Sequence, residues 1–98
     1  MRSVWEDARR EVISVCEQIF RAGLVSGSSG NVSKRISKDQ IAITPTSVPY
    51  ARLRAEDILI IDYEGDPLDS DGVPSSEKLL HLAIYRSHAN VGGVVHTH

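Results

Sequence analysis

The N-terminal part of the chain places apolar side chains at helical spacing. The positions that line one face are Val4, Ala8, Val12, Val15, Ile19 and Phe20. Ser3 and Glu6 fit a capping box, in which each side chain satisfies a free backbone N–H at the start of a helix. Gly23 suits a left-handed C-terminal cap. The pattern therefore predicts a helix from Ser3 to Gly23, with Cys16 buried as a small hydrophobic residue.

The middle of the chain alternates short apolar runs with turn residues. Residues 32–36 alternate apolar and polar side chains, and residues 40–44 follow after a short polar turn, which predicts a β-hairpin. The prolines of segment 44–50 exclude a helix there. Residues 58–62 form an apolar run that predicts a buried strand.

The last quarter of the chain predicts a helix and a strand. Ser75 or Ser76 can cap a helix that follows the polar loop at 69–74. Its predicted apolar stripe consists of Leu79, Leu80, Ala83 and Ile84. Residues 93–98 predict a strand that ends in two histidines. Because no closing element follows that strand, we expect the chain to be a fragment or a partial gene product.

Composition narrows the class of protein. The chain has 98 residues, 41% of them apolar and 24% charged, which suits one globular domain or part of one. A formal net charge of -2 and a pI near 6.0 argue against nucleic acid as the partner. No apolar run approaches the ~20 residues of a membrane-spanning helix, and early acidic residues argue against a secretory signal. The single cysteine cannot form an internal disulfide, so we expect a reducing, cytoplasmic setting.

His96 and His98 make up a candidate metal site. Side chains alternate along a strand, so these two imidazoles share one face at a spacing of about 7 Å. Two neutral imidazoles at this spacing can converge on one ion, and Zn(II) favours nitrogen ligands of this kind. The alternative is a solvated or hydrogen-bonded histidine pair near a chain end.

The predicted helix start at Ser75, Ser76 and Glu77 is a candidate anion site. Its hydroxyls and free backbone N–H groups lie at the positive end of the helix dipole. Glu77 could bind a metal or move a proton. The alternative is an ordinary helix start, in which a serine caps the helix and an acidic residue occupies the first turn.

Two loops add hydrogen-bond donors. Glycines within residues 27–31 allow backbone N–H groups to approach a phosphate, and the Asn31 amide can donate as well, although such a turn is more often structural. Segment 44–47 adds hydroxyl groups in a rigid loop. We expect His81 to lie on the helix surface or to support a ligand from behind, and His88 to be solvated near the helix end.

Five motifs stand in one order along the chain. They are Gly27-Ser-Ser-Gly-Asn-Val-Ser33, Ile43-Thr-Pro-Thr-Ser-Val-Pro-Tyr50, Pro74-Ser-Ser-Glu77, His81-Leu-Ala-Ile-Tyr85 and Val94-Val-His-Thr-His98. In this order they resemble the class II aldolase/adducin family, with residues 1–98 as the N-terminal part of a single domain of that family. The resemblance implies an α/β fold with three α/β/α layers and a mostly antiparallel central sheet. It also implies zinc-dependent cleavage of a ketose 1-phosphate, of the L-fuculose 1-phosphate type, to dihydroxyacetone phosphate and an aldehyde.

The resemblance also implies roles for particular residues. His96 and His98 would bind Zn(II), and Glu77 would be the acid/base and also a zinc ligand when no substrate is bound. The residues that would hold the phosphate of a small phosphorylated sugar are Gly30, Asn31, Thr46, Ser47, Ser75 and Ser76. Cleavage leaves an enediolate whose negative charge needs a Lewis acid, which agrees with these roles. The family further implies a homo-oligomer, a tetramer with its sites at subunit boundaries.

Two features depart from the family pattern. The family supplies a third zinc histidine downstream of the His-X-His strand, beyond the last residue of this chain. Ser47 stands where many members have glycine, so a positive φ there would strain the backbone. The alternative functions are a methylthioribulose-phosphate dehydratase, a sugar-phosphate epimerase or a non-catalytic adducin-like module. Epimerases typically have Asp in place of Glu77, and adducin-like modules tend to lose both the histidines and the acid.

Overall fold

The computed structural model describes residues 3–97, which contain two α-helices and four β-strands. In chain order these are α1 (Val4–Arg21), β1 (Asn31–Ser37), β2 (Gln40–Ile43), β3 (Leu59–Asp62), α2 (Lys78–Ser87) and β4 (Gly93–His96). Two single-turn 3-10 helices, Tyr50–Arg52 and Ala55–Asp57, lie between β2 and β3. No helix in the described range is both long enough and apolar enough to cross a membrane.

The four strands form one antiparallel sheet in the order β3-β2-β1-β4, with a helix on each face. Alternation along the strands sorts the core into two clusters. Ala42 and Ile60 pack with the buried face of α1, whereas Ile41 and Ile61 pack with the buried face of α2. The predicted fold, three α/β/α layers around an antiparallel sheet, is confirmed.

The N-cap at Ser3 and the C-terminal cap at Gly23 lie where the sequence of helix α1 predicts them. The Ser3 hydroxyl accepts the Glu6 N–H at 3.1 Å. At the other end Gly23 has φ 74°, and the N–H groups of Gly23 and Leu24 donate to the carbonyls of Phe20 and Ile19. This pairing is a Schellman cap. Cys16 is 2% exposed, so its predicted burial is confirmed.

Helix α2 differs from its prediction in two respects, its buried face and its first residue. Its buried residues are His81, Leu82 and Tyr85, whereas Leu79 and Leu80 of the predicted stripe are 64% and 47% exposed. The buried face carries polar atoms that find partners on the sheet, which a ranking by hydrophobicity does not detect.

The start of α2 is the second correction. The N-cap position is Glu77 rather than Ser75 or Ser76, and its side chain makes no capping hydrogen bond. The Ser75 hydroxyl instead accepts the Glu77 N–H at 3.2 Å, in a turn that precedes the helix. This turn leaves the Glu77 carboxylate available for contacts with the sheet.

Candidate functional site

Three loop segments meet at one end of the sheet and enclose a cleft of about 240 Å³. The loop after β2 lies against the segment before α2, since the Ser75 N–H donates to the Thr44 carbonyl and the Thr46 N–H to the Val73 carbonyl, both at 2.9 Å. The lining residues are Ser28, Ser29, Gly30, Asn31, Pro45, Thr46, Ser47, Ser75, Ser76 and Glu77. All six residues predicted to hold phosphate, and the predicted acid/base, therefore line one cleft.

Gly30 brings the wall of this cleft close to strand β4. Its φ of 79° lies in the left-handed region, which side chains disfavour. A Cβ at this position would stand 2.7 Å from the His96 carbonyl oxygen and 2.8 Å from Val25 Cγ1. Any larger residue at position 30 would therefore push against the backbone that carries His96.

Ser47 stands where many members of the resembled family have glycine, and its backbone has a positive φ. Its φ is 61°, and it is the one non-glycine residue with positive φ in the described range. A left-handed conformation costs an L-residue about 1–2 kcal/mol. The exposed Ser47 side chain lines the cleft, with its hydroxyl 3.5 Å from the Thr46 hydroxyl.

The Glu77 carboxylate lies where the cleft meets the sheet. Its Oε2 accepts a hydrogen bond from Asn31 Nδ2 at 2.6 Å and lies 2.7 Å from His96 Nδ1. Asn31 and His96 are directly paired in the β1–β4 register, so both side chains project from the same face of the sheet, toward α2. The turn before α2 brings Glu77 over this pair. Two residues of the predicted site, Glu77 and His96, thus come together.

A buried hydrogen-bonded chain continues behind Asn31. Asn31 Oδ1 contacts His81 Nε2, and His81 Nδ1 lies 2.6 Å from Ser33 Oγ. Ser33 Oγ is in turn 2.7 Å from the Tyr85 hydroxyl. His81 is 0% exposed, so the expectation of a surface position is wrong, and its contact with Asn31 fits the supporting role instead.

Burial sets the charge state of this chain of groups. It lowers the pKa of His81 to about 4, aided by the nearby His96 and opposed by Glu77. It also raises the pKa of the Tyr85 hydroxyl. Both side chains are therefore neutral near pH 7.

Sequence reasoning did not single out Ser33 or Tyr85. Two spacings in the sequence could have indicated these residues. Asn31 and Ser33 are two residues apart on one strand and share a face, and His81 and Tyr85 are four apart on one helix and share a face. The sequence alone does not show that this strand face and this helix face oppose each other in the fold.

The described residues supply part of the predicted metal site. Glu77 and His96 offer a carboxylate oxygen and an imidazole nitrogen, both suitable zinc ligands, while His98 lies outside the described residues. Within residues 3–97, no group of three or more His, Cys, Asp and Glu side chains is arranged to hold an ion. Two ligand atoms of a tetrahedral zinc lie about 3.3 Å apart, so His96 Nδ1 and Glu77 Oε2, which are 2.7 Å apart, would have to separate if these two atoms bound the same ion. The donor chemistry fits zinc, with further ligands required.

The sequence and the fold correspond to a known family of proteins. The sequence matches the family described as the class II aldolase and adducin N-terminal domain over residues 10–98. The chain belongs to this family, and the expected resemblance is confirmed.

Two relatives and one solved structure show which members of this family the chain is similar to. The chain is 40% identical to the L-fuculose phosphate aldolase of Escherichia coli strain K12, over 91% of this chain and 40% of the relative. It is 35% identical to the methylthioribulose-1-phosphate dehydratase of Alcanivorax borkumensis, over 98% of this chain and 45% of the relative. Among solved structures, an L-fuculose 1-phosphate aldolase superimposes with a TM-score of 0.85 at 28% identity, over 94% of this chain and 44% of that one. The chain thus spans less than half the length of these relatives.

Proposed function

We propose that the protein is a metal-dependent aldolase that cleaves a ketose 1-phosphate of the L-fuculose 1-phosphate type. The observation that supports this most directly is the position of Glu77. Its carboxylate touches His96 on one side and lines the cleft on the other. An acid/base in this position would stand between a metal ligand and a bound phosphate ester, where the carbon–carbon bond must break.

In this proposal the cleft binds the phosphate. The cleft is lined by four residues that carry hydroxyl groups, Thr46, Ser47, Ser75 and Ser76, and by Gly30 and Asn31. None of its lining residues is Lys or Arg, so binding depends on neutral donors and on the positive end of α2, whose N-cap residue, Glu77, lines the cleft. Fixing the phosphate fixes the position of the reacting carbons, which lowers the entropic part of the barrier.

Glu77 supplies proton transfer in this proposal. The Glu77 carboxylate takes the proton from the hydroxyl group of the carbon that becomes the aldehyde, the carbon–carbon bond breaks, and the bond electrons pass to the ketone carbonyl to form an enediolate. The dihydroxyacetone phosphate fragment then needs a proton on carbon, which a carboxylic acid at Glu77 can deliver. A divalent metal such as Zn(II), held by His96 and His98, and also by Glu77 before the substrate binds, would supply Lewis-acid stabilisation of the developing negative charge.

A dehydratase is the second candidate, supported by the 35% identity to the Alcanivorax borkumensis enzyme. Both relatives are named for a phosphorylated sugar, so the phosphate cleft is compatible with either reaction. Glu77 disfavours an epimerase, which typically has Asp there. Retention of Glu77 and His96 disfavours a non-catalytic module. A homo-oligomeric assembly, tetrameric by family resemblance, and a cytoplasmic location belong to the same proposal.

A panel of ketose 1-phosphates distinguishes these reactions. The purified full-length gene product is incubated with each compound in the presence of Zn(II), and dihydroxyacetone phosphate is measured with a coupled reductase. We expect product from at least one ketose 1-phosphate, and a loss of about 10²-fold or more in kcat for Glu77→Gln. Glu17→Gln, an exposed change on α1, is the matched control and should keep normal turnover. Water loss from methylthioribulose 1-phosphate without dihydroxyacetone phosphate would instead identify a dehydratase.

A further inference from the structure

The contacts of the Asn31 amide fix its orientation. Its Nδ2 faces the Glu77 carboxylate at 2.6 Å, and an ionised carboxylate can only accept hydrogen bonds. The opposite orientation would bring Oδ1 against a carboxylate oxygen at that distance, with no proton between them. Nδ2 must therefore point to Glu77, and Oδ1 must point to His81 Nε2.

This orientation selects one tautomer of His81. Oδ1 of Asn31 is an acceptor, so His81 Nε2 must carry a proton and donate it. In the neutral imidazole the other nitrogen, Nδ1, then accepts, and its neighbour at 2.6 Å is the Ser33 hydroxyl. Ser33 donates to Nδ1 and accepts from the Tyr85 hydroxyl at 2.7 Å. Every donor in this chain thus points toward Glu77.

We propose that His81 is a positioning residue, whose Nε2–H holds the Asn31 amide in the one orientation that directs Nδ2–H at the Glu77 carboxylate. An effect of this positioning on catalysis rests on the acid/base role proposed for Glu77. The positioning itself rests on the hydrogen-bond contacts alone. The lowered pKa of His81 supports it, because a neutral ring accepts from Ser33 while donating to Asn31.

Packing alone does not account for this arrangement. A buried histidine that only filled space would leave two ring nitrogens to be satisfied by any available partner. Here both ring nitrogens contact side chains of β1, at alternate positions of one strand face. The amide between His81 and Glu77 has two ends that differ chemically, so the ring also controls which end the carboxylate meets.

Nuclear magnetic resonance tests the positioning without any assay of activity. Long-range ¹H–¹⁵N spectra of the wild-type protein report which ring nitrogen of His81 is protonated. We expect the Nε2–H tautomer at pH 7, and the same tautomer in Ser33→Ala, because the Asn31 Oδ1 acceptor that selects it remains in that variant. An Nδ1–H tautomer or a mixture in the wild type would overturn the proposal.

Kinetics test the consequence for Glu77 in the full-length gene product. His81→Leu keeps a buried apolar volume but loses the donor, and kcat should fall about tenfold or more while KM changes little. His81→Gln retains an N–H donor and a carbonyl acceptor, so it should recover most of the loss. Leu82→Val is the control, because Leu82 is equally buried on α2 but its apolar side chain takes no part in the chain of hydrogen bonds from Tyr85 to Glu77.

The two measurements separate the possible failures. If the wild type cleaves no ketose 1-phosphate but shows the Nε2–H tautomer, the proposed function fails and the positioning stands. If cleavage is observed and His81→Leu retains normal kcat, the catalytic consequence of positioning is refuted. If Leu82→Val lowers kcat as much as His81→Leu does, the effect comes from packing of α2 and not from the hydrogen bond.

Discussion

Replacing Gly30 with alanine tests whether the site depends on the close approach of the glycine-rich turn to β4. The substitution has two separable costs. A φ of 79° costs a residue with a Cβ about 1–2 kcal/mol, partly offset by the lower entropy of the unfolded chain. The new Cβ would also stand 2.7 Å from the His96 carbonyl oxygen, and such overpacking costs about 1–3 kcal/mol.

Gly23 provides the matched control for the backbone cost. Its φ of 74° is nearly the same, but a Cβ there would meet nothing within 4 Å. Gly23→Ala therefore reports the left-handed conformation alone. We expect Gly30→Ala to lower the free energy of unfolding by about 1–3 kcal/mol more than Gly23→Ala does.

Urea denaturation followed by circular dichroism measures both variants, with the stability change taken from the midpoints at a shared slope. The resonances of His96 should also shift in Gly30→Ala, because relieving the clash moves the β4 backbone. The reasoning is refuted if the two variants are equally destabilised, or if the His96 resonances stay unchanged in Gly30→Ala.

Three further predictions concern the metal, the strained loop and the buried thiol. Zn(II) should raise the melting temperature of the full-length gene product, and His96→Ala should remove that shift while the exposed His88→Ala keeps it; a shift that survives in His96→Ala would contradict the ligand role. Ser47→Gly should raise the free energy of unfolding by about 0.5–1 kcal/mol in urea denaturation, because it relieves a φ of 61°, and a loss of stability would show that the serine is not strained. Burial raises the pKa of Cys16 to about 12, which lowers the thiolate fraction at pH 8, so the native thiol should alkylate on the order of 10³-fold more slowly than in urea; equal rates would contradict its burial.

Local sequence patterns were sufficient for most of the secondary structure. The stripe and caps of α1, the hairpin of β1 and β2, and the apolar run of β3 each depend on residues close in sequence. Hydrophobic period, turn chemistry and capping act over a few residues, so they can be recognised without the fold. The five ordered motifs were also sufficient to predict the family and the fold. The structure places the six residues predicted to bind phosphate around one cleft.

The face of α2 that is buried was decided by the tertiary structure. By hydrophobicity, Leu79 and Leu80 should face the core, yet His81 and Tyr85 do so. A buried polar side chain is tolerated only when its partners are in place, and the partner here is Ser33, which lies 48 residues away from His81 along the chain.

The same reason explains Glu77. In the sequence it looks like a first-turn residue of a helix, and its contacts with Asn31 and His96 exist only once β1, β4 and the turn before α2 have assembled. The sequence therefore determines which residue types are available for the proposed chemistry. Their orientation, including the directed hydrogen bonds from Tyr85 to Glu77, depends on opposing faces of a helix and a sheet that no local pattern specifies.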